Sequence, residues 1–311
     1  YSEIHKSKAK NLLGSTKSNY IKKTNTKITE DITEIYKAKK EVEFTSEFDK
    51  ELKFNKPIFS NMMGTLGTKN ELKKIELNEN VSIAKKIEKH TLGETKSREA
   101  IIELYEKGFN ESQIINLLSL GQFGISINKR MVPTKWTISA YDKIISEYLL
   151  SIITKNKIIE KYEIYNYSDK GNNFLIILIP EVFSFELYEN MGEFEASDYV
   201  DFNNKLKYEE PKTAGAFYAS RLGILEELRK RQRQASIIII RVIKDYEIPL
   251  GVVFVRESIR EAIKKKIGSF STLKETKEFT LENYKIHYNY LIKSQTLTEI
   301  KKQRKLREWN F

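Results

Sequence analysis

Two long apolar runs, Phe174 to Ile179 and Ser236 to Val242, constrain this chain more than anything else in it. A strand that is apolar on both faces must be covered on both, so Asn173 to Pro180 reads as a central strand. Ser236 to Ile243 and Gly251 to Val255, flanking a Pro249-Leu250-Gly251 turn, read as two more, and Glu160 to Tyr167 alternates as a fourth before a turn at Gly171-Asn172. Neither apolar run approaches the roughly 18 to 20 residues that span a bilayer. Ser2 to Asn11 has no apolar stretch of signal-peptide type. The expectation is a soluble, cytoplasmic protein with no membrane association.

Helical periodicity supplies the cover. Ser97 opens a helix through Lys107 with Gly108 as its stop, and Asn110 caps a second one carrying Ile114, Ile115, Leu117 and Leu118. Together they present the Gly121 to Gly124 turn. Longer helices are expected at about Ser139 to Thr154, Thr213 to Gln234 and Thr272 to Arg307, with a shorter one at Glu257 to Lys266. Residues 1–60 are polar with little helical period and read as an irregular N-terminal layer, apart from an edge-strand pattern around Val42 and Phe44. The fold class is therefore α+β: a mixed central sheet covered by long helices. The parts are an N-terminal segment 1–60, a main domain 61–298 and a C-terminal basic tail 299–311.

Composition removes several chemistries. There is no cysteine among 311 residues, which excludes disulfide scaffolds, Cys-ligated zinc, iron–sulfur clusters and thiol catalysis. Only His5, His90 and His287 are available for imidazole chemistry, and none sits in a supporting motif. Lysine and arginine exceed aspartate and glutamate by 54 to 43, a formal charge of +11. Such an excess favours polyanionic partners, nucleic acid above all, yet stretches such as Lys37 to Glu43 mix both signs as a solvated surface does.

The informative charges are those on apolar helical stripes, because a buried charge costs several kcal/mol unless it meets a partner or a ligand. Asp142 shares a face with Ile138, Ile145 and Leu149; Arg221 lies on the stripe of Tyr218, Leu225 and Leu228; Arg256 and Arg260 are one turn apart. Two readings stand side by side: core ion pairs, or arginines converging on a phosphate or carboxylate. A basic loop, Asn128 to Trp136, adds Arg130, Thr134, Lys135 and Trp136 just before a helix, a combination suited to holding an oxyanion and stacking a base, although a core anchor is the more ordinary role for Trp136. Residues 181–210 are acidic. Within them Glu186 and Glu189 form the best pair for a divalent metal, Mg²⁺ or Mn²⁺, in phosphodiester chemistry, with Asp142 or Glu257 as further ligand or base. At the C-terminus, Gln303, Leu306, Trp309 and Phe311 have the spacing of a one-turn hydrophobic plug, preceded by cations that steer it to an acidic partner.

Three blocks in order carry a resemblance: Val132-Pro133-Thr134-Lys135-Trp136 with Ile138 to Asp142, Lys212 to Glu226, and Pro249 to Val252 with Val255-Arg256-Glu257 and Arg260-Glu261-Ala262. With Ser119-Leu120-Gly121 and Asn172-Asn173-Phe174, they resemble the archaeal Nre family of DNA-repair proteins from about residue 97 to the C-terminus. The resemblance implies a DNA-damage repair factor that binds nucleic acid, DNA in the first place, or a nucleotide. It also implies a C-terminal PIP motif that docks on the sliding clamp, PCNA. Gln303, Leu306 and Trp309 match that motif; Asn310 stands where a second aromatic is usual, with Phe311 one place late. Family members with a Cys-rich zinc segment and a Gly-Ser-Ser/Thr-Pro-Pro motif differ here, where only Gly14-Ser15-Thr16-Lys17 is found and no cysteine. The functional expectation is a binding factor whose site is Arg130, Thr134, Lys135, Trp136, Tyr218, Arg221, Arg256 and Arg260. A metal-dependent nuclease or phosphodiesterase and a non-catalytic repair adaptor are the alternatives.

Overall fold

The computed structural model describes residues 3–9, 26–48, 58–60, 64–66, 72–125, 129–201, 211–244 and 251–302. They belong to two compact units, Tyr1–Ile145 and Ser146–Phe311. The first contains β1 (Glu3–Ala9), α1 (Thr26–Lys37), β2 (Val42–Phe48), β3 (Ile58–Ser60), β4 (Gly64–Leu66), β5 (Leu72–Leu77), α2 (Lys85–Leu92), α3 (Ser97–Glu106) and α4 (Glu111–Ser119). The long helix α5 (Thr134–Ile153) begins in this unit and ends in the second.

The N-terminal stretch expected to be irregular carries an antiparallel sheet, β1-β2-β5, in which β2 is the central strand rather than an edge. Its core is small: Phe44 and Ile75 are buried under Ile35 of α1, with Ile28 and Ile32 alongside. The isoleucines of α1 follow helical spacing, but Thr, Glu and Lys surround them and dilute the period in the sequence. The end of α1 is tied down from afar, because buried Gln113 of α4 donates through Nε2 to Tyr36 O (2.6 Å) and Ala38 O (3.1 Å). The α3–α4 hairpin follows its signals. Gly108 takes a positive φ of 72°, and Asn110 Oδ1 accepts from Gln113 N.

In the second unit the elements are β6 (Lys157–Ile158), β7 (Tyr162–Asp169), β8 (Asn172–Ile179), β9 (Ser184–Met191), β10 (Phe194–Asp201), α6 (Gly215–Arg231), β11 (Arg233–Gln234), β12 (Ser236–Ile243), α7 (Val252–Ala262), β13 (Lys266–Phe270), α8 (Leu273–Asn283), α9 (Lys285–Leu291) and α10 (Gln295–Lys302). Six strands form one sheet in the order β10-β9-β12-β8-β7-β13. It is mixed, since β12 runs antiparallel to β8 but parallel to β9. Both apolar runs are interior strands. One face packs Ile164, Leu175, Ile177, Ile179, Ile238 and Ile240 against Tyr290 and Leu291 of α9 and Leu297 of α10. The other is covered by α6 and α7, with Phe185 of β9 edge-on to Phe217 of α6 at 5.1 Å. Those two helices cross closely, because a Cβ at Gly223 would stand 2.9 Å from Ile259 Cγ2.

Four segments depart from expectation. The β7–β8 turn is Lys170-Gly171, at φ 46° and 73°, one residue before the expected pair. The acidic stretch is largely the β9–β10 hairpin. Val252 to Val255, read as a strand, opens α7: Val252, Val255, Arg256, Ile259 and Ala262 are buried at helical spacing, which overrides the β-branched preference. The single long C-terminal helix is three helices. α8 starts from a Thr272–Glu275 capping box; the chain breaks at Tyr284 (φ −137°, ψ 53°) and again at Ser294, before α10.

Candidate functional site

The basic loop of the first unit is built by the two motif blocks on either side of it. Val132 N donates to Ser119 O (2.8 Å), Ser119 Oγ donates to Val132 O (2.7 Å), and Ser119 Oγ lies 3.1 Å from Thr134 Oγ1. Gly121 has a φ of +68°, and a side chain there would strike the Arg130 backbone at 2.6 Å. Lys129 Nζ reaches Thr91 O at 2.7 Å. The loop is thus fastened at several points and delivers the chain into α5 five residues earlier than the expected Ser139. Trp136 therefore sits in the first helical turn, and it does not anchor the core: it is 59% exposed. Lys135 Nζ lies 6.0 Å from its ring centre, and Lys135 and Arg130 are both exposed. Thr134, expected as an open hydroxyl donor, is instead buried and shares its hydroxyl with Ser119. Asp142 is fully buried on the expected stripe with Ile138, Tyr141 and Ile145.

In the second unit the expected metal pair separates. Glu186 and Glu189 are three apart on β9, and an odd spacing on a strand places them on opposite faces, so they cannot chelate one ion. Each also has structural work. Glu186 accepts from Ser294 Oγ (2.5 Å), Gln295 N (2.9 Å) and Thr296 N (2.9 Å), holding the start of α10. Glu189 pairs with Arg241 at 2.7 Å, while Asn172 Oδ1 accepts from the same guanidinium at 2.6 and 2.9 Å. Burial pushes the Glu189 carboxyl up, and Arg241 opposes that push. Among the described residues no group of three or more His, Asp or Glu side chains is placed to hold a metal ion. The Cys-ligated zinc linked with the family resemblance has no ligands in this chain.

The expected arginines also divide. Arg260 makes a two-pronged pair with Glu226 of α6, both bonds 2.8 Å, and reaches Glu257 at 2.7 Å; it braces α6 against α7. Glu257 is exposed and bonded to Arg260. Arg256 is 3% exposed, its Nε 3.7 Å from Glu257. Arg221 is 6% exposed, and its guanidinium lies 5.2 Å from the Phe217 ring and 5.6 Å from the Tyr218 ring. Burial lowers its pKa to about 10.

Sequence reasoning missed the groups that pin α6. At its start, Asp198 of β10 accepts from Lys212 N (3.0 Å), Thr213 N (2.7 Å) and Thr213 Oγ1 (2.6 Å), and Ala214 takes φ 48°, ψ −129°, a conformation costly for any residue but glycine. At its end, Glu163 of β7 receives both arms of Arg231 (2.8 Å each), Tyr165 Oη and Lys266 Nζ. Burial alone pushes Glu163 up, but those donors outweigh it and hold the carboxyl at about 2. None of these groups had a local signal; Arg241, the partner of Glu189, had one, as the lone cation inside an isoleucine run.

These features define an α+β protein with a basic, aromatic surface on one unit and a buried arginine in the second turn of a pinned helix on the other. The family models described as archaeal Nre, N-terminal, and archaeal Nre, C-terminal, match residues 1–193 and 201–309, and the chain belongs to the archaeal Nre family. It is 34% identical over 224 residues to DNA repair protein NreA of Archaeoglobus fulgidus, covering 69% of this chain and 57% of that protein. It is also 34% identical over 221 residues to DNA repair protein NreA of Haloferax volcanii, covering 67% and 52%. The chain thus spans little more than half the length of these two. With DNA repair protein NreB of Archaeoglobus fulgidus it shares 29% identity over 298 residues, 88% of this chain and 74% of that one. No solved structure matches. No helix among the described residues is long and apolar enough to cross a membrane.

Proposed function

We propose that this protein is a cytoplasmic DNA-repair factor that binds nucleic acid through the face around Trp136 and is brought to the sliding clamp PCNA by its C-terminal tail. The observation that carries the reading is the exposure of Trp136, at 59%, beside exposed Lys135 in the first turn of α5, with exposed Arg130 on the preceding loop that is fastened to α4. An indole left in water on a rigid mount is suited to stack on a base, and the two cations match the phosphates that flank it. Relatives bearing the name DNA repair protein support the repair setting. Gln303, Leu306, Trp309 and Phe311, the clamp-binding positions, lie outside the described residues; α10 leads toward them with Lys301 and Lys302 in its last turn.

The test is a titration of labelled oligonucleotides at several salt concentrations, with and without Mg²⁺ or Mn²⁺. Binding that weakens steeply with salt, leaves the DNA uncut and is lost in an Arg130→Ala, Lys135→Ala, Trp136→Ala triple variant is expected. Wild-type affinity in that variant overturns the assignment of the face. For the tail, deletion of residues 303–311 is expected to abolish clamp binding while the protein stays folded; binding that survives the deletion refutes it.

A further inference from the structure

The second unit holds a buried arginine with no ion pair among the described residues: the Glu147 carboxylate acts on its charge only from beyond pairing distance. Arg231, Arg241 and Arg260 each have a carboxylate at 2.7 to 2.8 Å. Arg221 has none within ion-pairing distance among the described residues, and its Nε is sealed from solvent without an acceptor. The rings it lies against belong to residues four and three positions earlier on α6, so its side chain runs back toward the head of that helix. Stripping a guanidinium of water costs several kcal/mol, of which two ring faces return only a part. The arrangement is one that an anion completes.

The head of α6 offers matching donors. Ala214 N and Ala216 N are bonded within the turn, to Pro211 O and Thr213 O, whereas Gly215 N makes no hydrogen bond among the described residues. Asp198 of β10, whose carboxylate meets this turn, already accepts from three donors of the turn itself. A forked cation and an open helix-head N–H together suit a tetrahedral oxyanion. Enclosure narrows the choice. With Arg221 only 6% exposed, a phosphodiester in mid-strand, flanked by sugars on both sides, is too bulky to approach it, so of the phosphate forms a terminal one suits the site better.

We propose that Arg221 and the first turn of α6 form a site for a terminal phosphate, the phosphomonoester of a nucleotide or of a nucleic-acid strand end. Such a group carries close to two negative charges at neutral pH and three free oxygens. The strand-end form deepens the nucleic-acid reading above and rests on it; the nucleotide form does not.

The experiment uses the whole chain and oligonucleotides with 5′-phosphate, 3′-phosphate or hydroxyl ends, with a nucleoside monophosphate as competitor. One phosphorylated end is expected to bind roughly ten- to a hundred-fold more tightly than the hydroxyl end, the worth of charged hydrogen bonds. Arg221→Gln should collapse that ratio to near one. If the ends bind equally but the monophosphate binds wild type and not Arg221→Gln, the site stands in its nucleotide form. Equal ends and no monophosphate binding overturn it, and leave the Trp136 face untouched if the oligonucleotides still bind. The second variant is Arg221→Met, melted without ligand. A melting temperature equal to or above wild type is expected on removal of a buried charge that has no ion pair; a clear fall makes Arg221 a structural brace and overturns the proposal.

Discussion

Arg130 and Lys135 of the first unit stand in solvent, Lys135 beside an exposed indole, whereas Arg231, Arg241 and Arg260 of the second are each locked to a carboxylate and Arg221 is enclosed without an ion pair among the described residues. Charge of one sign therefore does different work in the two units. In the first it is available to a large, flexible polyanion, and the loop beneath it is what has been made rigid. In the second most of it is paired within the fold: Arg231 ties the end of α6 to Glu163 of β7, Arg241 ties β12 to Glu189 of β9, and Arg260 braces α7 against α6. A charged residue on an apolar stripe signals that something meets it. The partner, not the stripe, tells whether that something is the protein or a ligand.

The sharpest way to break this contrast is Arg241→Met, which strands Glu189 in the core. A loss of about 3–5 kcal/mol in urea unfolding is expected, and much less when Glu189→Leu accompanies it; equal losses mean that the pair is not what holds these strands. Next comes acid. Glu163 has a folded pKa of about 2 against an ordinary 4.5, so its contribution is complete above about pH 4.5 and disappears as pH falls through 2. That amounts to on the order of 2–3 kcal/mol, and Glu163→Gln should flatten this part of the stability–pH curve.

The first unit should respond in binding rather than stability. Trp136→Ala is expected to weaken single-stranded DNA by about 1–3 kcal/mol and to leave unfolding within about 0.5 kcal/mol, with Trp136→Phe in between. A large stability loss would place the indole among structural groups. The smallest effect is a gain. Ala214→Gly relieves the backbone at the head of α6 and should add about 1 kcal/mol, seen as a higher melting temperature.

What was legible in the sequence follows the length scale of the signal. The two interior strands, the Asn110 cap, the Gly108 stop and the buried stripe of Ile138, Tyr141, Asp142, Ile145 and Leu149 rest on neighbours within a turn or two, and all appear as read. The α1–β2 layer did not, because its few apolar residues become a core only when Phe44, Ile75 and Ile35 meet across forty positions. The site divides in the same way. Burial of Arg221 and Arg256 and the basic loop were visible locally. The partners that settle Arg260, Glu186 and Glu189 stand 34, about 110 and 52 positions away, and nothing near them announces it.

The placement of β12 carries a consequence for how this chain is made. β7–β8 and β9–β10 are hairpins that close on themselves early, yet they join into one sheet only through β12, which enters between β8 and β9 after α6. During synthesis on the ribosome, both hairpins emerge with an apolar strand edge open to any passing chain, until Ile243 clears the exit tunnel. A nascent chain stalled within α6 is thus an aggregation hazard rather than a smaller working protein. Slow translation through residues 215 to 243 should lower soluble yield more than the same delay placed after α7.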